Sequence, residues 1–90
     1  MLYMVIETFK SGSIGEVYRR AAERGRMLPQ GLAYLESWVS IDFSVCFQLM
    51  RTEDNGLLEE WMKEWRDLVD FEVIPVRTSA EAFHLMSRGD

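Results

Sequence analysis

Residues Gly31–Met50, GLAYLESWVSIDFSVCFQLM, decide the fold. They read as two strands joined by a tight turn at Ile41–Ser44, a hairpin in the middle of the chain. Side chains alternate faces along a strand, so Ala33, Leu35, Ser37, Val39 and Ile41 form one set and Tyr34, Glu36 and Trp38 the other. The first set is small and mostly apolar, suited to packing beneath helices. The second is large, aromatic and acidic, and is expected to carry any function. In the returning strand, Val45, Phe47 and Leu49 point one way and Cys46, Gln48 and Met50 the other.

Working outward, strand-forming residues fill Leu2–Phe9, with Leu2, Met4 and Ile6 on one face and Tyr3, Val5, Glu7 and Phe9 on the other. Ser13 and Glu16 have the spacing of a capping box, and Ile14, Val17, Tyr18 and Ala21 follow as one helical stripe. Gly25 supplies a left-handed stop and Pro29 prevents the helix from resuming. After the hairpin, the polar turn Arg51–Gly56 leads into a second amphipathic helix marked by Leu57, Leu58, Trp61, Trp65 and Leu68, with Glu59 placed to pair with Lys63. Phe71–Val76 is the last strand, and Pro75, which donates no ladder hydrogen bond, puts either this strand at a sheet edge or the proline near the strand's end. Thr78 and Glu81 repeat the capping spacing before a short terminal helix carrying Phe83, Leu85 and Met86, with Ser87–Asp90 expected to fray.

The order β-α-β-β-α-β-α specifies an α+β, ferredoxin-like βαββαβ sandwich with a short C-terminal helix, as a single domain over residues 1–90. Right-handed crossovers place both main helices on one side of the sheet. Choosing the acid-free sets as helix-facing buries Leu2, Met4 and Ile6 with Val45, Phe47 and Leu49. Tyr3, Glu7, Tyr34, Glu36, Trp38, Cys46, Gln48 and Glu72 are then left on an open face. Such a face is too apolar for water and too acidic for a dry interface. It is therefore expected to close against a second copy, giving a homodimeric α/β barrel around a wet cavity.

Composition narrows the partners. A net charge of −5 argues against nucleic acid, whose phosphates call for a basic surface. A single cysteine, Cys46, excludes an intrachain disulfide, and no Cys/His cluster offers a metal site, so no metal and no cofactor is expected. The apolar run at the start, MLYMVI, is too short for a signal peptide or a membrane span. That implies a cytoplasmic protein without a membrane partner.

The segments MLYMVIETFK, VYRRAAERGRMLPQGLAYLESWV, CFQLM and FEVIPVRTSAEA resemble a small bacterial family known only as a domain of unknown function, over nearly the whole chain. The resemblance implies membership of the dimeric α/β-barrel superfamily of ferredoxin-like fold. That superfamily hosts cofactor-free monooxygenases, isomerases, dehydratases and haem-handling proteins, so the fold alone selects no activity.

Tyr3, Glu7, Tyr34, Glu36, Trp38, Gln48 and Glu72 are the candidate ligand-binding residues. A carboxylate sunk among aromatic rings has its pKa raised toward neutrality and becomes a competent acid or base. The same residues equally suit structural ion pairs or a solvated strand face. Glu36 and His84, the only histidine, are the catalytic candidates, although no nucleophile is placed beside His84 by spacing. Arg19, Arg20, Arg24 and Arg26 crowd a helix end, where the helix dipole favours cations, and Arg26 in the loop is the one best placed to meet a ligand. The leading reading is a homodimer that binds a small apolar or aromatic molecule between its two sheets. A cofactor-independent enzyme of monooxygenase or isomerase type and a protein-interaction module are the alternatives.

Overall fold

The computed structural model describes residues 1–88. It contains β1 (Leu2–Phe9), α1 (Ile14–Arg24), β2 (Ala33–Val39), β3 (Val45–Arg51), α2 (Gly56–Met62), β4 (Val69–Val76) and α3 (Ser79–Arg88). The sheet order is β2-β3-β1-β4, antiparallel throughout, which is the ferredoxin-like arrangement expected from the element order. β4 lies at an edge, and Pro75 is also its penultimate residue, so both placements open to the proline are met.

On β1 and β3 the two faces are reversed from the sequence expectation, whereas Ser37, Val39, Glu36 and Trp38 of β2 lie on the sides expected for them. Tyr3, Val5 and Glu7 of β1 and Cys46, Gln48 and Met50 of β3 are buried, together with Leu58, Trp61, Met62, Trp65 and Val69. Leu2, Met4, Ile6, Phe47 and Leu49 therefore look away from the helices, and so do Glu72, Ile74 and Val76 of the last strand, for which the pattern alone fits either parity and only the acid at Glu72 favours this one. Both sets on β1 and β3 are apolar enough to pack, and the presence of an acid was the wrong criterion for choosing between them. The helix layer brings two tryptophans, and the set with Tyr3, Val5 and Met50 fills the space beneath them, while Glu7 lies beside a cavity rather than in packed side chains.

A second departure lies in β2. Its register against β3 shifts between Tyr34 and Glu36, so Tyr34 opposes Met50 on the helix side while Glu36 and Trp38 oppose Leu49 and Phe47 on the other. The bulge at Leu35 breaks the period-two alternation, and Tyr34 parts from the two residues expected beside it. Ser37 and Val39 return to the helix side opposite Gln48 and Cys46.

Smaller differences have local causes. Ser13 does not cap α1 with its side chain; its hydroxyl instead donates to the Leu68 carbonyl at 2.7 Å, tying the helix start to the chain before β4. α2 ends at Met62, and residues 63–68 wind more tightly, with the amides of Glu64, Trp65 and Leu68 donating three residues back. Glu59 consequently pairs with Arg66 rather than Lys63. Gly25 terminates α1 with φ of 67° and its amide on the Ala21 carbonyl. α3 is helical through Arg88, so Ser87 and Arg88 do not fray, while Gly89 and Asp90 lie outside the described residues. α3 buries none of its side chains.

Candidate functional site

α1 is strongly amphipathic yet has no fully buried residue. Its stripe of Val17, Tyr18 and Ala21 borders a cavity of about 300 Å³, with Val17 and Ala21 also packed against the core. That volume is at the lower end of the range usual for small-molecule sites. The floor is β1, β3 and the bulged β2, which contribute Glu7, Cys46, Gln48, Ser37 and Val39. Trp61 and Trp65 form an aromatic wall, and Arg26 stands where α1 gives way to the loop.

The tryptophans are held in one geometry. Both indole Nε1–H groups donate to the Arg26 carbonyl, at 2.9 Å from Trp61 and 3.2 Å from Trp65. The next residue, Met27, has φ of 59°, a left-handed conformation that costs a non-glycine residue about 1 kcal/mol or more, directly after the carbonyl that accepts both indole hydrogen bonds. The Arg26 guanidinium stacks 3.6 Å from the Tyr34 ring centre, and the Tyr34 hydroxyl shares a 2.7 Å hydrogen bond with Ser37 Oγ. Arg20 clamps α1 to the segment after α2 through a bidentate pair with Asp67 at 2.8 and 2.9 Å, holding that carboxyl below its ordinary range. The arginine cluster thus divides. Arg19 pairs with Glu16 on α1, Arg20 is structural, and Arg26 belongs to the cavity.

Glu7 is the chemical centre. It is only 6% exposed, and its Oε2 accepts a 2.6 Å hydrogen bond from Gln48 Nε2. Burial is the dominant influence and pushes its pKa up to about 7, against the lowering effects of the Gln48 bond, the Arg26 charge and the Cys46 thiol. Near pH 7 the site therefore holds or releases a proton readily. Cys46 behaves oppositely as a reagent: burial and the adjacent Glu7 push its thiol up to about 12, so it stays protonated and is no nucleophile at neutral pH. Gln48 is 8% exposed, and its Oε1 has no hydrogen-bond donor within the protein.

With this geometry in hand, comparison with known sequences assigns the chain. It belongs to the family described as Domain of unknown function (DUF3303), whose model matches residues 1–90. No curated protein matches the chain, and no solved structure does. The site in this family member accordingly rests on its own geometry.

Of the seven expected ligand-binding residues, Glu7 and Gln48 line the cavity, and Tyr34 supports it through Ser37 and Arg26. Tyr3 is buried in the core, with its hydroxyl against Met1 Sδ at 3.5 Å. Glu36, Trp38 and Glu72 lie on the opposite side of the sheet and share no cavity with Glu7. Glu36 is thus removed from the place where an acid of shifted pKa sits. His84 is exposed on α3 and lines no cavity described here. Sequence reasoning missed the role of Trp61 and Trp65, taken as plain core, and of the α1 stripe. The signal was two indole N–H groups one helical turn apart, each needing an acceptor when buried. Among the described residues, no group of three or more His, Cys, Asp or Glu side chains is placed to hold a metal. No helix among them is long and apolar enough to cross a membrane.

Proposed function

We propose that this protein is a homodimeric small-molecule-binding domain whose site lies beneath the helices of each protomer, not between the two sheets. The carrying observation is the Glu7–Gln48 pair, buried on the floor of a cavity walled by Trp61 and Trp65. A carboxylate desolvated at this cost is kept where it meets a ligand or moves a proton. The aromatic walls favour a flat, largely apolar guest, and about 300 Å³ limits it to one or two fused rings.

The open face supports the dimer. Its central strands present Leu2, Met4 and Ile6 beside Val45, Phe47 and Leu49. The charges sit at the outer strands or the ends: Glu36 on β2, Asp70 and Glu72 on β4, and Arg51 at the end of β3. An apolar centre with a polar rim is the anatomy of a protein interface. The whole face, four strands of seven or eight residues, spans roughly 500 Å², of which the two central strands with their apolar side chains make up about half. The occupant that best fits this face is a second copy, in keeping with the resemblance to dimeric α/β-barrel proteins.

A second reading is favoured by the Glu7 pKa of about 7, which suits a general acid or base and hence a cofactor-independent isomerase- or oxygenase-type reaction. Either reading requires the cavity to bind. The three indole N–H groups provide the test, since Trp61 and Trp65 border the cavity while Trp38 stands on the opposite face, 50% exposed. Titrating ¹⁵N-labelled protein with indole is expected to shift the Trp61 and Trp65 side-chain signals and leave that of Trp38 in place. Ala21→Phe, which fills the cavity from α1, is expected to weaken binding at least tenfold. Unmoved Trp61 and Trp65 signals at millimolar probe would refute the site.

A further inference from the structure

Arg26 is the only basic residue bordering the cavity, and its side chain is uncommitted. Among the described residues its guanidinium N–H groups meet no hydrogen-bond acceptor and no carboxylate within ion-pair distance, whereas Arg19, Arg20, Arg66 and Arg77 each pair with an acid. It is nevertheless held in place. Its backbone carbonyl takes both indole N–H groups, and its guanidinium rests on the Tyr34 ring, 3.6 Å from the centre. Tyr34 is itself tied to Ser37. A guanidinium set on a ring face keeps its in-plane N–H groups for a carboxylate. Arg26 is exposed as well as cavity-lining, so it marks the end at which the space meets solvent. Glu7, the only acid in the lining, feels the Arg26 charge, yet its hydrogen bond goes to Gln48 and the two form no ion pair. The other polar lining groups, Tyr18 on α1, Ser37 on β2 and Cys46 and Gln48 on β3, carry no charge at neutral pH. While Glu7 holds its proton the cavity is therefore a positive space in a chain of net charge −5.

We propose that the cavity takes flat aromatic carboxylates, the anionic group pairing with the Arg26 guanidinium at the open end and the ring lying against Trp61 and Trp65. This inference rests on the cavity being the binding site and adds the charge class of the guest. A carboxylate supplies the acceptor that the protein withholds from Arg26, and two parallel N–H···O bonds to it fix the orientation of the guest. An uncharged ring gains only the apolar wall. A cationic guest meets Arg26 as a like charge and is disfavoured.

Indole-3-carboxylate and indole-3-carboxamide make a direct test, being nearly identical in shape while only the first is an anion. At pH 6 the acid is ionised and Glu7 is largely protonated, so the charge of the cavity is that of Arg26. In the ¹⁵N titration the carboxylate is expected to bind at least about fivefold more tightly than the carboxamide, against the repulsion of the chain's overall negative charge. Arg26→Gln removes the cation and keeps the backbone carbonyl that holds the tryptophans. It is expected to bring the two probes within about twofold of each other by weakening the carboxylate alone. Equal binding of the two to wild-type protein, a preference for the carboxamide, or a carboxylate preference that survives in Arg26→Gln overturns the inference while leaving the cavity as the site. Failure of both probes and of indole to move Trp61 and Trp65 overturns the site as well. The wild-type comparison decides the matter even if the glutamine variant does not fold.

Discussion

The two faces of the sheet carry the same kinds of residue, aromatic rings and carboxylates, to opposite ends. On the helix side a single acid, Glu7, lines a cavity together with Cys46, Trp61 and Trp65 and has its pKa raised toward neutrality by burial. On the open side Glu36, Asp70 and Glu72 are exposed on the outer strands, and the middle of the face is hydrocarbon. Position relative to the packed layer, rather than composition, decides whether a carboxylate becomes a reagent or a rim. The same contrast separates Tyr34, drawn under the helices by a bulge, from Trp38, left outside by it.

The largest effect is expected from charging the middle of the open face. Ile6 lies between Phe47 and Glu72 in the ladder, so Ile6→Lys places an ammonium at the proposed dimer centre and beside Glu72 on the same protomer. That cross-strand pair keeps the isolated fold intact. Burial of the charge between subunits is expected to weaken the dimer at least a hundredfold, about 3 kcal/mol, measured by sedimentation equilibrium. Indole binding should survive in the resulting monomer. A wild-type chain that sediments as a monomer at micromolar concentration would remove the assembly, and a variant that stays dimeric would place the interface elsewhere.

Much of the fold was legible because its signals are local and redundant. Gly25, Pro29, Pro75 and the hairpin around Ile41–Ser44 each restrict the backbone by themselves, and the element order then admits few topologies. Which face of β1 and β3 goes inward was not legible. β1 and β3 are apolar on both parities, so the choice depends on tertiary complementarity with Trp61 and Trp65. The bulge at Leu35 has no glycine to announce it, and it alone sorts Tyr34 from Glu36 and Trp38. Glu7 and Gln48 stood out as candidates by their polarity within strands, while the cavity that both border is formed only with α1 and the tryptophans packed above them.

Glu7 gives the next effect. Its pKa of about 7 in the folded chain exceeds the ordinary value of 4.5, so the native state holds this proton more tightly than the unfolded chain does. The contribution to stability is full below about pH 4.5, declines as pH rises to 7, and is lost above it. Across that interval the loss amounts to about 3 kcal/mol. Glu7→Gln keeps the bond to Gln48 with a neutral acceptor, and is expected to stabilise the protein by about 2–3 kcal/mol at pH 8 and hardly at all at pH 4.5. Urea unfolding at fixed protomer concentration measures both. A variant that is less stable at pH 8 would mean that the ionised carboxylate is well compensated in the fold.

The smallest effect is the sharpest comparison, because Glu36→Gln makes the same chemical change on the other face. Glu36 is exposed, its Oε1 accepts only from the neighbouring Ser37 amide at 3.2 Å, and it borders no part of the cavity. Its replacement is expected to change unfolding free energy by less than about 0.5 kcal/mol. It should also leave the indole affinity within twofold of wild type. Glu7→Gln and Glu36→Gln together therefore ask whether one side of the sheet or both contribute to the site. If Glu36→Gln altered indole binding as much as Glu7→Gln does, the bulge would be transmitting changes through β2 to Ser37 and Tyr34, and the sheet would couple its two faces rather than divide them.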